Sequence, residues 1–195
     1  MSRSRIISDQ QVLNATVKFV ARYGVAKLTF ASLSTATGLS PATLVQRFGT
    51  KKELLTAVTK HCLQGMEPTF IQNRDKHASP LRAVYAAFAT MSEAVTSVEE
   101  FANGQIFFYL ALTDPETNDL LYKSMDQSLG TIEQLLIEAT ETKELSPCDT
   151  RALALTLQTT YEGAITTWLV YQKGDIKTWV TSRLENVIEP YKITP

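Results

Sequence analysis

Four polar side chains lie close together between residues 43 and 51. Thr43, Gln46 and Arg47 belong to a stretch that can form only two turns of helix, and Lys51 follows four residues after Arg47. Hydroxyl, amide and guanidinium groups at this spacing can reach the edges of base pairs, and an ammonium can pair with a phosphate. The stretch therefore favours a short helix that presents its polar face to another molecule, and nucleic acid has the chemistry that fits.

Neighbouring helices must hold that short helix in place. Residues 9–23 repeat apolar side chains on one helix face and end at Gly24. A second short helix stops at Gly38, and residues 41–47 form the third, whose Leu44 and Phe48 turn inward. Two short helices joined by a tight turn and packed on a longer one form a helix-turn-helix. Hydroxyl or carboxylate side chains are predicted to cap the four helices, in chain order Ser8 or Asp9, Thr29, Ser40 and Thr50.

Charge is unevenly distributed along the chain. Residues 1–60 contain nine basic and two acidic side chains, whereas the remaining residues contain ten basic and eighteen acidic ones, for a net charge of −1. A basic first third suits a polyanion, and an acidic remainder would be repelled by one. A chance distribution of solvated charge is the alternative.

The remaining two thirds of the sequence has the periodicity of longer helices. Breaks at Pro, Gly and capping residues predict an all-α protein, with an N-terminal three-helix DNA-binding domain over residues 1–50 and a helical domain over 51–195. Apolar residues make up 44% of the chain, and no 18 uncharged apolar residues occur in a row, so a soluble cytoplasmic protein that does not enter membranes is expected. The longer helices are predicted at about 51–74, 80–98, 101–112, 115–141, 148–172 and 175–188.

Residues suited to metal or catalytic chemistry are sparse. His61 and His77 have no third ligand at metal spacing, and Cys62 and Cys148 are predicted to be reduced, buried thiols. No catalytic triad order, glycine-rich phosphate loop or paired carboxylates stand out. No metal, no cofactor and no enzymatic activity are expected.

Residues 10–58 resemble the tetracycline-repressor (TetR) family of transcriptional regulators. The resemblance is carried by an apolar first helix, Tyr23-Gly24, the turn Gly38-Leu39-Ser40, and Phe48 followed by Lys51. It implies a C-terminal domain that binds a small molecule and forms a dimer. The DNA-contacting residues implied by the resemblance are Thr29, Ser40, Ala42, Thr43, Val45, Gln46, Arg47 and Lys51.

Individual roles within that set stay open. Val45 stands where the family usually has a Tyr that touches a phosphate, so that contact is lost or is made by Gln46 or Arg47. Arg47 could read a guanine, pair with a phosphate or be an exposed charge, and Lys51 could hold a phosphate or be solvated. A basic start with Arg3 and Arg5 could enter the minor groove or be a disordered tail.

Two apolar stripes near the C-terminus are candidates for a homodimer interface. Their spacing alone also fits an internal core, but the resemblance implies that the last two long helices pair with their copies. A second copy is also expected because one short helix covers few bases, and two half-sites about 34–36 Å apart extend the site. The predicted interface residues are Leu153, Leu157, Ala164, Trp179, Val180, Leu184 and Val187.

Aromatic and sulfur-containing side chains are frequent in the middle of the chain. The resemblance implies a small effector bound among them, although cores also need aromatics, and the neutral character of the set favours a largely apolar or aromatic compound. The predicted function is a ligand-responsive repressor of a palindromic operator; the rivals are a helical small-molecule-binding protein or enzyme, and a DNA binder without an effector. The predicted effector contacts are Phe88, Met91, Phe107, Tyr109, Tyr122, Tyr161 and Trp168.

Overall fold

The computed structural model of the chain describes residues 7–63 and 67–193, in which every regular element is a helix. The predicted all-α class is confirmed. No helix in these two ranges is long and apolar enough to cross a membrane. The α-helices are α1 Asp9–Tyr23, α2 Phe30–Thr37, α3 Pro41–Phe48, α4 Lys51–Cys62, α5 Glu67–Lys76, α6 Pro80–Ser92, α7 Val98–Gly104, α8 Ile106–Thr113, α9 Pro115–Glu141, α10 Thr150–Tyr171 and α11 Ile176–Ile188.

Side-chain caps begin the first four helices where the sequence predicts them. The hydroxyls of Ser8, Thr29, Ser40 and Thr50 accept the backbone N–H three residues later, at 3.3, 3.0, 3.1 and 3.2 Å respectively. Ser8, rather than Asp9, caps α1. Each cap satisfies an N–H that a helix terminus otherwise leaves without a partner.

The longer helices differ from the prediction in three places, one of which is the segment 101–112, divided at Gln105 between α7 and α8. The segment 51–74 is not one helix, because α4 ends at Cys62 and α5 begins at Glu67. In the segment 80–98, helix α6 ends at Ser92. A new helix, α7, begins at Val98, where the Ser97 hydroxyl accepts the Glu100 N–H. The predictions for α9, α10 and α11 agree with the structure to within about two residues.

The described residues form two compact units whose boundary differs from the predicted one at residue 50. The first unit contains residues 7–63 and 96–122, so it includes α4, α7, α8 and the start of α9. The second unit contains residues 67–95 and 123–193. The helix-turn-helix therefore belongs to a larger body than its three helices.

The core of the first unit is aliphatic with one aromatic ring. Val12 and Val20 of α1 pack with residues of α2, α3 and α4, and Phe107 of α8 closes the cluster. Asn103 of α7 donates from its side-chain amide to the Ala21 carbonyl at 2.9 Å. Burial of about eight such side chains, at roughly 1.5–3 kcal/mol each, is the main force that positions α3. The buried cluster is Val12, Val20, Leu28, Leu33, Leu44, Leu54, Val58 and Phe107.

Helices α5, α6, α10 and α11 and most of α9 build the second unit. Phe70 and Phe88 meet edge to face at 5.1 Å between ring centres, and Phe88 lies 5.0 Å from Tyr161. Arg151 of α10 is paired with two carboxylates of α9, those of Asp126 at 2.5 Å and Glu133 at 3.0 Å. The aromatic rings pack in the core of the second unit, and the ion pairs join α9 to α10 on its surface.

Candidate nucleic-acid interface

Helix α3 turns its apolar side inward and its small and polar side outward. Leu44 has no exposed surface, whereas Ala42, Val45 and Gln46 are exposed, Val45 to 48%. Thr43 is half-buried, and its hydroxyl lies 2.8 Å from the Ser40 hydroxyl at the helix start. An exposed two-turn face with small side chains fits the width of a major groove, so three of the predicted contacts lie where they could reach base edges.

Arg47, also a predicted DNA contact, is engaged by the chain itself. Its Nε donates to the Asp9 carboxylate at 2.7 Å, its Nη2 contacts the same oxygen, and its Nη1 donates to the Ile7 carbonyl at 2.9 Å. The side chain is 24% exposed. All three nitrogens therefore hold α3 against the first turn of α1, and a DNA contact by Arg47 requires exchange of at least one of these bonds.

The start of α4 combines a helix N-terminus with two ammonium groups. Thr50 caps the helix, and the Glu53 carboxylate accepts from the Thr50 backbone N–H at 2.7 Å, which lowers the pKa of Glu53. Lys51 is exposed and donates to the Val25 carbonyl at 3.0 Å, while Lys52 is exposed beside it. A helix N-terminus next to cations attracts phosphate groups.

Thr29 occupies the equivalent position on α2. It is exposed, and its hydroxyl is bound to the backbone N–H and the hydroxyl of Ser32 in a capping box. Ser40 is likewise an exposed cap. Both side chains are held in place by hydrogen bonds from the backbone of the helix that they cap. Their exposed sides remain available to a phosphate.

Several residues that shape this surface were missed by the sequence reasoning. Asp9 was considered as a cap and instead binds Arg47, 38 residues away. Asn14 of α1 and His61 of α4 lie 2.8 Å apart, and Lys60 of α4 pairs with Glu116 of α9 at 2.5 Å. No local pattern signals such contacts, because partners separated by dozens of residues are chosen by the packing of helices. Arg3 and Arg5 lie outside the described residues.

The sequence of this surface matches a known family model. Residues 12–58 match the model for bacterial regulatory proteins of the tetR family. Over these residues, which include the helix-turn-helix, the chain is similar to that family. No curated protein sequence matches it.

Solved structures of TetR-family and other transcriptional regulators share the fold across most of the chain. The regulator FadR from Bacillus subtilis, in complex with stearoyl-CoA, is 18% identical with a TM-score of 0.70 and covers 93% of this chain and 98% of its own. A putative regulator from Pseudomonas aeruginosa PAO1 is 12% identical, TM-score 0.73, over 95% and 92%. SmeT, the repressor of the Stenotrophomonas maltophilia multidrug efflux pump SmeDEF, is 19% identical, TM-score 0.66, over 95% and 91%.

The residues that the TetR resemblance suggests for effector binding are divided between the two units. Phe88 is buried, Tyr161 lies against it, and Met91 and Trp168 are half-buried, all in the second unit. Burial raises the pKa of the Tyr161 phenol to about 12, with a smaller contribution from Glu162 and an opposing hydrogen bond with Ser92. Trp168 donates from its indole to the Gly174 carbonyl at 3.1 Å.

Three of these predicted effector residues lie in the first unit. Phe107 is part of the buried cluster that supports the helix-turn-helix, so it has a core role, and its contact with an effector stays a prediction. Tyr109 and Tyr122 are 59% and 71% exposed. Aromatic content alone could not distinguish a pocket wall from a core or a surface.

Most of the predicted dimer residues serve the core of the second unit instead. Leu153, Leu157, Ala164, Val180 and Leu184 are at most 4% exposed in a single copy of the chain. Within a single copy these five side chains are core residues of the second unit, and their contact with a partner stays a prediction. Trp179 and Val187 are half-buried, and the Trp179 indole donates to the Ala164 carbonyl at 3.0 Å.

Metal-ligand geometry does not arise within residues 7–63 and 67–193, where no three His, Cys, Asp or Glu side chains lie together. Cys62 is exposed and Cys148 half-buried, so the prediction that both thiols are buried is wrong.

Proposed function

We propose that the chain is a dimeric, ligand-responsive repressor that binds a palindromic operator through α3. The observation that carries the proposal is the outward face of Ala42, Val45 and Gln46, bordered by the cationic start of α4. The small side chains allow close approach to the groove floor, and Gln46 offers the amide that pairs with adenine. Lys51 and the caps Thr29 and Ser40 supply phosphate contacts that set the register.

The outer face of α10 supports a homodimer better than the residues predicted from sequence. Glu162 and Arg151 are the only charged residues of this helix, and Arg151 is held by α9. Leu155 is 54% and Val170 74% exposed, with small residues between them. An exposed, nearly uncharged helix face with small side chains lets a second helix approach closely. The proposed face contains Ala152, Leu155, Thr156, Thr159, Gly163, Thr166, Thr167 and Val170.

The aromatic cluster of Phe70, Phe88 and Tyr161 supports an effector site in the second unit. On α6, the hydroxyl of Tyr85 is buried without a hydrogen-bond partner among the described residues, on the side of the helix that faces Glu185 and Glu189. An unpaired buried hydroxyl costs about 1–3 kcal/mol, which a polar group of a bound molecule could recover. An apolar body with one polar group is therefore the effector class that fits these side chains.

Effector and operator are coupled through the arrangement of the two α3 helices in the dimer. An effector that binds one arrangement better than another shifts the population toward it, and DNA must weaken effector binding by the same factor.

A small-molecule-binding protein without a DNA role would lack salt-dependent DNA affinity. A DNA binder without an effector would bind DNA unchanged by any ligand.

The proposal is tested by selecting bound fragments from the genome that encodes the chain and measuring affinity for the enriched site. Lys51→Ala should weaken binding to every sequence alike and reduce the slope of log K against log salt by about one. Lys123→Ala, which removes an exposed lysine of the second unit, is the matched control and should change neither quantity. Failure to enrich any site, or a slope unchanged by Lys51→Ala, would contradict the assignment of the surface.

Effector release is tested on the same operator. Apolar compounds with a polar head should displace the DNA, and stearoyl-CoA, bound by the solved FadR, is a natural first compound. Tyr85→Phe should leave the empty protein folded and reduce effector affinity by about tenfold, since the lost hydrogen bond is replaced by nothing. A panel of such compounds that binds without any effect on DNA would favour the small-molecule-binding alternative.

A further inference from the structure

Arg47 is the only charged side chain of α3, and a carboxylate of α1 neutralises it. Its Nε donates to the Asp9 Oδ1 at 2.7 Å, and its Nη2 contacts the same oxygen. Its Nη1 donates to the Ile7 carbonyl at 2.9 Å. Together with Asp9, the helix proposed to enter the groove therefore carries no net charge in the free chain.

The nearby cation Lys51 is held in a different way. Its ammonium donates to the Val25 carbonyl at 3.0 Å, and a carbonyl oxygen carries no net charge. None of the ion pairs within residues 7–63 and 67–193 includes Lys51. Lys51 thus keeps its full charge for a phosphate, whereas the charge of Arg47 is already matched.

The ion pair between Arg47 and Asp9 is placed where another partner can replace it. The Asp9 side chain is 68% exposed, so water reaches the carboxylate and solvates it when the pair opens. Asp9 also lies in the first turn of α1, where the helix dipole stabilises a negative charge. On the other side, the planar edge formed by Nε and Nη2 of a guanidinium fits a phosphate or the edge of a guanine as well as it fits a carboxylate.

We propose that Asp9 competes with operator DNA for Arg47 and thereby sets the affinity for the operator. In the free chain the Nε and Nη2 edge of Arg47 binds Asp9. In the complex the same edge binds a phosphate or a guanine, and the Asp9 carboxylate is returned to water at the start of α1. The free energy of the lost ion pair is subtracted from that of the new DNA contact.

This inference rests on the proposed binding of DNA through α3 and adds a residue to it. Asp9 lies on α1, and it is not among the DNA contacts that the sequence predicts. Its effect on DNA is exerted through Arg47, so the two residues must act as a pair.

Operator affinity of charge variants, measured by fluorescence anisotropy with a duplex enriched from the genome, tests the competition. Asp9→Asn removes the charge and keeps an oxygen that accepts from Nε, so the orientation of Arg47 is retained. It should raise operator affinity about three- to tenfold, the range expected for the loss of a partly exposed ion pair. It should also steepen the slope of log K against log salt by about one, because Arg47 then displaces counterions of the DNA without freeing a carboxylate.

A double-mutant cycle separates competition from the general repulsion between a carboxylate and DNA. In the Arg47→Gln background, Asp9→Asn should change operator affinity by less than about twofold and leave the salt slope unchanged. An equal gain in both backgrounds would overturn the proposal, because Asp9 would then act without Arg47. Asp119→Asn removes another exposed carboxylate of the same unit and is the matched control. A gain from Asp119→Asn equal to that from Asp9→Asn would overturn the proposal as well.

A purely structural role of Asp9 predicts the opposite sign. Weaker operator binding by Asp9→Asn, in samples whose circular dichroism shows the helix content of the parent chain, would refute the competition. The proposed function fails in a distinguishable way. A parent chain that enriches no site refutes both, whereas operator binding that Lys51→Ala weakens and Asp9→Asn does not strengthen refutes the competition alone.

Discussion

Arg47 shows how one side chain can serve both the fold and a binding surface. Its bonds to Asp9 and to the Ile7 carbonyl connect α3 with the start of α1. At the same time it lies at the end of the helix proposed to enter the groove. Removing Arg47 should thus affect stability as well as DNA binding, and only a measurement without DNA separates the two effects.

Arg47→Ala should lower the free energy of unfolding by about 0.5–1 kcal/mol, the contribution typical of a partly exposed ion pair with an added backbone bond. Urea denaturation at pH 7 in the absence of DNA measures this loss. Gln46→Ala, the neighbouring exposed residue, serves as the control and should change stability by less than about 0.5 kcal/mol. Equal stability of the two variants would leave Arg47 with a role in DNA contact alone.

At the scale of the helix, the accuracy of sequence-based prediction depends on how local the determining interaction is. The caps at Ser8, Thr29, Ser40 and Thr50 involve partners three residues away, and all four were predicted. The ends of α4 and α6 were missed because neither Cys62 nor Ser92 is followed directly by Gly or Pro. Leu157 and Leu184 are buried within one copy, and their apolar spacing alone does not distinguish a core from an interface.

The break between α7 and α8 is a second feature that the sequence did not reveal. Gln105 follows the last residue of α7 and precedes the first of α8. Helix α7 is held to α1 by Asn103, whereas α8 packs on α4. The break therefore separates the contact of α7 with α1 from the contact of α8 with α4. Gly104 is the last residue before it.

Gly104 and Gly38 allow the effect of backbone conformation to be measured without a steric contribution. A Cβ atom at either position would meet no atom within 4 Å, but Gly38 has a φ of 74° and Gly104 does not lie in the left-handed region. Gly104→Ala should raise the free energy of unfolding by about 0.5–1 kcal/mol, because alanine restricts the unfolded chain. Gly38→Ala should lower it by about 1 kcal/mol or more, because the turn before α3 requires positive φ.

Denaturant titrations of the two glycine variants against the parent chain measure both changes. A stabilised Gly38→Ala protein would mean that the turn can relax. A destabilised Gly104→Ala protein would mean that the α7–α8 break needs the freedom of glycine.

At the scale of the whole molecule, charge and apolar surface are separated along the chain. Nine of the nineteen basic residues lie in residues 1–60, and the second unit carries an exposed, nearly uncharged face on α10. The proposed DNA-binding surface and the proposed self-association face therefore lie on different parts of the chain. The sequence also predicts these two functions for different parts of the chain, and the dimer contacts stay a prediction.

Thr159 tests the proposed interface, because it lies exposed in the middle of the α10 face and its hydroxyl bonds to the Leu155 carbonyl. Thr159→Arg should keep the fold and raise the dimer Kd by roughly 100-fold or more, since the symmetric contact would bury two unpaired charges. Thr90→Arg on α6 is matched in exposure and in its bond to the Ala86 carbonyl, so it should leave the dimer intact. Sedimentation velocity over a concentration series measures both constants.

A monomeric Thr159→Arg protein should also lose affinity for the full operator while keeping that for one half-site, because α3 itself is unchanged. An undiminished dimer would place the interface elsewhere than on the outer face of α10.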